Sequence, residues 1–284
     1  MDDHPAEPEV ERRAPTICTI GDLMLDVIVL PTRQLAADSD TPATIRFTPG
    51  GQAANVAAWA GFLGARSRLI CVRGTDVSSE LAARSLARYG VELLGPVLDG
   101  RGGVVVSIGD GEGRRTMASD RGIASMLTPA DFERAWVEDA DVLHVSGYCL
   151  LSEPMAEAAI EAARLAPRRT LDLASAHDIS IVGRRSFIER LEALAPDLVF
   201  ATEAERAAVP EFDCTWVIKL GPDGARFPEG HYPALAVEPV DTTGAGDALA
   251  AGYLVGGPEL AMQAAANSVS QVGAMPSWAA RAPD

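Results

Sequence analysis

Residues 241–247, which read DTTGAGD, form the stretch of the sequence best suited to chemistry. Small residues let the backbone turn tightly, so that the N–H groups of Gly244, Ala245 and Gly246 can point at one place. The helical pattern that follows adds the unpaired N–H groups and the positive dipole end of a helix start. This combination predicts a site for a phosphate, or for a phosphoryl group during transfer. Asp247 would lie at its mouth, where a carboxylate can accept a proton from an attacking hydroxyl. The alternative is that Asp247 only caps the helix.

Two further polar residues stand in surroundings that favour a binding role. Asp26 lies in an apolar run predicted to be a strand, and burying a carboxylate without a partner is costly. Asn55 follows Gly50 and Gly51 early in an alanine-rich helical stretch. Both positions predict contacts with a polar ligand, although Asn55 could also be no more than a polar residue on a helix face.

The charge balance excludes two classes of partner. The 284 residues carry 24 Lys and Arg against 40 Asp and Glu, a net charge of −16. Nucleic acids and anionic membrane surfaces both select basic footprints, so we expect neither as a partner. A small anion remains compatible with this charge, since a helix N-terminus or a metal can supply local positive potential.

Several features predict a cytoplasmic protein. Residues 1–14 are polar, acidic and rich in proline, which predicts a disordered tail rather than a signal peptide. No apolar run reaches the ~18 residues that a membrane helix needs. The cysteines are far apart and most lie in apolar runs, which predicts buried free thiols at Cys18, Cys71, Cys149 and Cys214.

Strand and helix patterns alternate along most of the chain. This order predicts an α/β fold, with a mostly parallel central sheet and helices on both faces. The strand-like segments near 24–48 and 91–118 lack helices of their own, and we assign them to a small β lid. A capping Thr128 followed by Pro129 predicts a further helix start. We therefore expect one domain over 15–284, with its ligand at the carboxyl ends of the strands and under the lid.

Several segments carry recognisable motifs in a fixed order: GDLMLD at 21–26, GGQAAN at 50–55, VIKLGPDG at 217–224, DTTGAGD at 241–247, AAN at 265–267 and GAMPS at 273–277. Together they resemble the motifs of the ribokinase (PfkB) family of sugar and nucleoside kinases. The resemblance spans about 16–278, nearly the whole chain, and implies a ribokinase-like fold.

The resemblance implies ATP-dependent phosphorylation of a hydroxyl, preferably a primary one, on a small sugar or sugar-like substrate. In this family pattern Asp247 is the general base, and the anion hole consists of the N–H groups of Gly244, Ala245 and Gly246. The residues implied to hold the substrate are Asp26, Gly50, Gly51 and Asn55. The residues implied to bind the nucleotide are Thr202, Lys219, Gly221, Gly224 and Asn267.

Two cations are implied in the same way. Mg²⁺ would accompany ATP and be held through water by Glu205, although Thr202 replaces the usual Asn of that motif. A potassium site would be formed by the segments that contain Asp241, Thr243, Gly273 and Ser277. Met24 and Gln52 stand where ribokinases proper have ribose-contacting residues, which argues against ribose itself.

Two other functions stay open at this level. A nucleoside kinase of the same family predicts an aromatic wall for the base, but the lid segments contain only Phe47 and the nearby Tyr89. A non-catalytic sugar- or nucleotide-binding protein on this fold is favoured by Thr202 and disfavoured by the retained Asp247.

The lid carries two further expectations. The lid strands of this family often pair between subunits, which implies a homodimer formed through the lid. The lid-region arginines are predicted to be solvated charges, one of which could reach a substrate or a phosphate: Arg114, Arg115 and Arg121.

Overall fold

A nine-stranded sheet forms the centre of the protein in a computed structural model that describes residues 13–110, 115–173 and 175–277. The strands of these residues are β1 Thr16–Ile20, β2 Met24–Pro31, β3 Ala43–Gly50, β4 Arg66–Ile70, β5 Arg73–Gly74, β6 Val91–Leu94, β7 Val97–Leu98, β8 Gly103–Gly109, β9 Arg115–Asp120, β10 Val142–Ser146, β11 Arg169–Asp172, β12 Leu198–Thr202, β13 Thr215–Lys219, β14 Ala225–Phe227 and β15 Gly230–Tyr232. The α-helices are α1 Gln52–Phe62, α2 Val77–Leu86, α3 Met155–Leu165, α4 Ala176–Val182, α5 Arg184–Leu194, α6 Glu203–Ala208, α7 Ala245–Gly256 and α8 Pro258–Val269.

The central sheet is parallel except at one edge. Its strand order is β15-β14-β13-β12-β11-β10-β1-β4-β6, and only β14 and β15 run antiparallel to their neighbours. Parallel strands that are covered on both faces are apolar almost throughout, and all five residues of β1 are buried. The carboxyl ends of the seven parallel strands lie along one edge, where the polar residues of the site collect.

Helices cover both faces of this sheet, which confirms the predicted α/β class. On one face, α3 and α5 bury side chains such as Met155 and Phe187. On the other face, α1, α7 and α8 pack against the sheet around Trp59. A Cβ added at Gly252 of α7 would lie 2.6 Å from Cα of Ala261 in α8, so glycine allows these two helices to pack closely.

A separate four-stranded sheet, called the small sheet below, has the order β3-β2-β8-β9. The predicted lid segment 91–118 is wrong in its first part: β6 extends the central sheet beside β4, and β7 pairs with β5. Val91 is buried on the core side, so this strand packs against the main body rather than over the site. Strand propensity alone does not specify which partner strand is chosen.

The structure tests the predicted helix start at Thr128, but not most of the predicted N-terminal tail. The predicted helix at Thr128 is only a single 3₁₀ turn, Pro129–Asp131, although its capping contacts form. The chain continues in an extended conformation at Phe132, which ends the turn. Most of the predicted tail, residues 1–12, lies outside the described residues.

The prediction of buried free thiols is confirmed for three of the four cysteines. Cys18, Cys71 and Cys149 are buried, Cys214 is half-buried, and all four are free thiols. Within the described ranges, no helix combines the length and apolar character required to cross a membrane.

Candidate active site

The turn before α7 is shaped by one glycine. Gly244 adopts φ 76° in the left-handed region, and a Cβ there would lie 2.5 Å from Cβ of Ala274. Both facts exclude other residues at this position. Helix α7 begins at Ala245, whose N–H closes the turn by donating to the carbonyl of Thr242 at 3.3 Å. The next N–H groups of the first helical turn have no helical carbonyl one turn earlier to pair with. A turn of this shape, followed by the positive dipole end of a helix, is suited to bind an anion.

Asp247 lies in that first helical turn, and Asn55 of α1 holds its carboxylate. The Asn55 Nδ2 donates to Oδ2 of Asp247 at 2.7 Å. Burial, and next the negative charge of Asp172, raise the pKa of Asp247 to about 7, although Asn55 and Lys219 act in the opposite direction. A carboxyl group with this pKa can accept a proton near neutral pH.

A buried ion pair lies beneath the turn. Lys219, at the end of β13, donates from Nζ to Oδ1 of Asp172, at the end of β11, over 2.6 Å. The pKa of Lys219 lies above its ordinary value in spite of burial, because the carboxylates of Asp172 and Glu205 are close. A Cβ at Gly246 would be 3.3 Å from Nζ of Lys219, so the pair supports the anion-binding turn directly. The sequence analysis missed Asp172, whose only signal was an acidic residue at the end of a strand.

Asp26 lies on the inner face of the small sheet, which faces the main body. Burial and the nearby Asp22 raise the pKa of Asp26 to about 7. A Cβ at Gly50 would overlap the Asp26 carboxylate, and Gly51 has φ 98° and lies against the backbone carbonyl of Asp22. The predicted substrate residues Asp26, Gly50, Gly51 and Asn55 are therefore brought together.

Polar atoms without partners mark the space between these groups. Among the described residues, the buried side-chain atoms without a hydrogen bond include Oδ1 of Asn55, Oδ1 of Asp22, Oγ1 of Thr48 and Oγ of Ser107. Thr48 pairs with Asp26 across β2 and β3, so it shares the inner face. Buried polar atoms normally have a partner, so these four oxygens are available to hydrogen-bond with a hydroxyl-bearing ligand.

Arg121 adds a positive charge to this pocket, and sequence reasoning had treated it as a solvated side chain. Its guanidinium donates to Oδ2 of Asp22 at 2.5 Å and stacks over the ring of Tyr148, 4.6 Å from the centroid. Its side chain is 37% exposed, so it remains accessible to solvent. No local sequence feature connected Arg121 with Asp22.

A cavity of about 710 Å³ opens on the other side of the turn. Four of the predicted nucleotide residues line it: Thr202, Lys219, Gly221 and Gly224. Asn267 does not. Its helix presents Met262, Ala265, Ala266 and Val269 instead, which recur at the spacing of one helix face. The apolar segment 234–239 forms another wall that the sequence analysis missed.

Thr202 and Glu205 form a reciprocal capping box at the start of α6. The Thr202 N–H donates to the Glu205 carboxylate at 2.8 Å, and the Glu205 N–H donates to Oγ1 of Thr202 at 3.2 Å. No cluster of three or more metal-ligating side chains occurs in the described part of the chain. One carboxylate beside the cavity fits Mg²⁺ that arrives with nucleotide phosphates, since this ion uses few protein ligands.

Three of the four residues predicted to bind potassium, Asp241, Thr243 and Gly273, lie together, but they do not fit that ion. The Asp241 carboxylate accepts from the N–H groups of Thr243 and Gly273 at 2.7 and 2.8 Å. The guanidinium of Arg115, from β9 of the small sheet, forms an ion pair with the same carboxylate. A potassium ion there would face a positive charge. Arg115 is thus not a solvated residue, and its side chain is only 18% exposed; Arg114 lies outside the described residues.

This arrangement can transfer an anionic group to a hydroxyl, because it combines a proton acceptor, an anion-binding turn and a pocket on each side.

Comparisons with known proteins agree with a kinase. The model of the pfkB family carbohydrate kinases matches residues 14–281. An ATP-dependent ribose-1-phosphate kinase of Halopiger xanaduensis is 31% identical over 255 residues, 84% of this chain and 83% of that protein.

Solved structures also match over nearly the full length. The adenosine kinase of Sinorhizobium meliloti has a TM-score of 0.79 at 26% identity, covering 93% of this chain and 96% of that one. An uncharacterized sugar kinase of Pyrococcus horikoshii, in complex with ATP, has a TM-score of 0.76 at 26% identity, covering 92% and 95%. These neighbours confirm the predicted ribokinase-like fold.

The pKa of Asp247 can be tested directly by carboxyl-carbon NMR on aspartate-labelled protein, with the resonance assigned from an Asp247→Asn spectrum. We expect titration near pH 7 in the wild type, as the raised pKa requires. In Asn55→Ala the pKa should move higher, because the lost N–H donor stabilised the charged form. Asp26 serves as the internal control and should not move. An unchanged or lower pKa for Asp247 would contradict the assigned geometry.

Proposed function

The chain belongs to the pfkB family of carbohydrate kinases and phosphorylates a sugar-like substrate with ATP, and we propose that Asp247 is the general base of this reaction. The substrate hydroxyl oxygen forms a bond to the γ-phosphorus as the bond from that phosphorus to the bridging oxygen of ADP breaks. The hydroxyl proton passes to the Asp247 carboxylate. The observation that carries the proposal is the position of Asp247, whose pKa is about 7, beside the anion-binding turn.

The anion hole acts on the group in transfer. The N–H groups of Gly244, Ala245 and Gly246 would stabilise the charge on the phosphoryl oxygens, which is the main task of a protein in this chemistry. The buried pair of Lys219 and Asp172 supports the turn from below. Mg²⁺, held by Glu205 through water, would neutralise phosphate charge when bound.

The substrate would lie between the small sheet and the main body. Asp26 and Asn55 would hold its hydroxyls, and the unpartnered oxygens of Thr48 and Ser107 suit further hydroxyl contacts. Gly50 and Gly51 let the backbone approach closely. We propose that the small sheet is a lid within a single kinase domain, 15–284, and that it excludes water, which otherwise competes as the acceptor.

The nucleotide would occupy the cavity beside the turn. Thr202, Lys219, Gly221 and Gly224 lie along its phosphate and ribose side, and the apolar face of α8 together with 234–239 suits an adenine ring. Asn267 could contribute only from the rim, because its neighbours Ala266 and Val269 form the wall.

We expect Asp247→Asn to lower kcat by at least ~10², because general base catalysis is typically worth ~10²–10⁴ in rate. Binding of sugar and ATP should change little, since the loss is specific to the transition state. The measurement is steady-state kinetics with a thermal melt. Because Asn keeps the shape of Asp, near wild-type kcat in the folded variant would refute the base and leave Asp247 only as a hydrogen-bond partner of Asn55.

The class of sugar has two candidates, and one observation favours a sugar phosphate over a neutral sugar. Arg121 pairs with Asp22 through Nη1 and is 37% exposed, so its remaining guanidinium donors could also bind a substrate phosphate. The Halopiger relative is named for a phosphorylated pentose. The structural likeness to an adenosine kinase makes a nucleoside the remaining alternative. However, the lid residue Phe47 is 58% exposed on the outer face, so it cannot form the aromatic wall that a nucleoside base needs.

An ADP-release screen over pentoses, hexoses, their phosphates and nucleosides, with two variants, decides between these classes. We expect Asp26→Ala to raise KM for every sugar, because charged hydrogen bonds to hydroxyls are worth about 1.5–3 kcal/mol each. Arg121→Met should raise KM only for phosphorylated sugars. If Arg121→Met affects neutral and phosphorylated sugars alike, the phosphate contact is wrong, and no ADP release with any compound would favour a non-catalytic protein.

The outer face of the small sheet suits a second copy of the chain. It carries Ile45 and Phe47, which are 54% and 58% exposed, next to half-buried valines of β2. We therefore propose a homodimer formed through the small sheet, since contiguous apolar surface of this kind marks an interface. A monomer in light scattering at micromolar concentration would contradict it.

A further inference from the structure

We propose that Arg115 supplies the cation of the anion-binding turn, so that docking of the small sheet orders the turn and the enzyme needs no monovalent metal ion. The inference rests on the proposed role of the turn in phosphoryl transfer. In this role Arg115 is a positioning residue, since it acts through Asp241 and Thr243 rather than on the substrate.

Asp241 requires a positive partner. Its side chain is 1% exposed, and a buried carboxylate without a counter-charge is strongly unfavourable. Although burial would raise the pKa of Asp241, the N–H of Gly273, the Arg115 guanidinium and the N–H of Thr243 hold it below its ordinary value. The charge of Lys219, the other cation near the turn, is directed to Asp172.

Arg115 makes two contacts with the turn, not one. Its Nη2 faces Oδ1 of Asp241, and its Nη1 donates to Oγ1 of Thr243. A guanidinium is a planar fork that can bridge two acceptors, whereas an ammonium is a single point of charge. The two acceptors are separated by one residue and immediately precede Gly244, whose conformation fixes the direction of the anion-hole N–H groups.

The small sheet is therefore tied to the turn at a defined place. Arg115 lies on the same face of that sheet as Asp26. Asp26 is opposite Val105, which is opposite Ser119, and every second residue of β9 from Ser119 back to Arg115 lies on that face. On the same side, Cδ1 of Ile28 would lie 3.2 Å from a Cβ at Gly273, whose N–H also donates to Asp241. A sheet that closes over the sugar through Asp26 thus brings Arg115 to Asp241 in the same movement.

The test compares wild type, Arg115→Met and Arg115→Lys in chlorides of K⁺, Na⁺ and tetramethylammonium at a common ionic strength of about 0.1 M. Kinase activity and the thermal midpoint Tm are both measured. Arg101→Met is the matched control, because Arg101 pairs with Asp120 on the exposed side of the same sheet.

We expect the wild type and Arg101→Met to vary by less than about twofold in kcat among the three salts, since screening is equal at matched ionic strength. Arg115→Met should lose about tenfold or more in tetramethylammonium, as expected for a lost charged hydrogen bond. K⁺ should restore part of this loss and raise the Tm of this variant alone by about 2–4 °C. Arg115→Lys, which keeps the charge, should be impaired but indifferent to the salt.

Two results would overturn the inference. One is K⁺ activation of the wild type, which would show that a metal ion takes this place. The other is a folded Arg115→Met that is equally active, or equally impaired, in all three salts. If Arg115→Met does not fold, a K⁺-dependent Arg115→Lys has the same consequence. Absence of kinase activity in the wild type would reject the proposed function, while the Tm comparison would still report on Arg115.

Discussion

Charge neutralisation decides which acids of this site remain available for chemistry. Five aspartates converge on the carboxyl edge of the sheet and the facing small sheet. Three of them have a cation: Lys219 pairs with Asp172, Arg115 with Asp241 and Arg121 with Asp22. Two form no ion pair among the described residues, Asp26 and Asp247, and burial raises the pKa of each to about 7. The partners of Asp241 hold its pKa below the ordinary value, whereas burial raises the pKa of Asp172 to about 6 in spite of Lys219. A carboxyl group without an ion pair is left to exchange a proton or to bind a hydroxyl.

The same pairing of charges limits the groups with which this chain, whose net charge is −16, can bind the phosphates of ATP. Lys219 is the only lysine of the sequence, and its charge is balanced by Asp172 beneath the turn. The local positive potential for phosphates must therefore come from backbone N–H groups, the helix dipole and the metal that accompanies ATP. This dependence makes the shape of the turn at Gly244 critical, because a backbone donor acts only in the direction that the local conformation gives it.

The parts of the site that the sequence predicted are those governed by local chemistry. The 241–247 turn follows from glycines and a helix start within seven residues, and the Gly50–Asn55 motif is equally compact. The ion pairs could not be predicted. Lys219 lies 47 positions from Asp172 and Arg121 lies 99 positions from Asp22, and residues of these types are common on any protein surface. The boundary of the small sheet was misplaced for a related reason: Val91–Leu94 has strand propensity, but its pairing with β4 depends on tertiary packing.

The raised pKa values of Asp26 and Asp247 make the stability of the protein depend on pH. An unfolded Asp releases its proton near pH 3.8, whereas Asp26 and Asp247 retain theirs to about 7 in the fold. Between these values the folded state binds more protons, so stability falls as pH rises through this window. In the proposed complex, a sugar hydroxyl that donates to Asp26 would favour the charged form and lower its pKa. Binding of such a substrate would therefore offset part of this loss of stability.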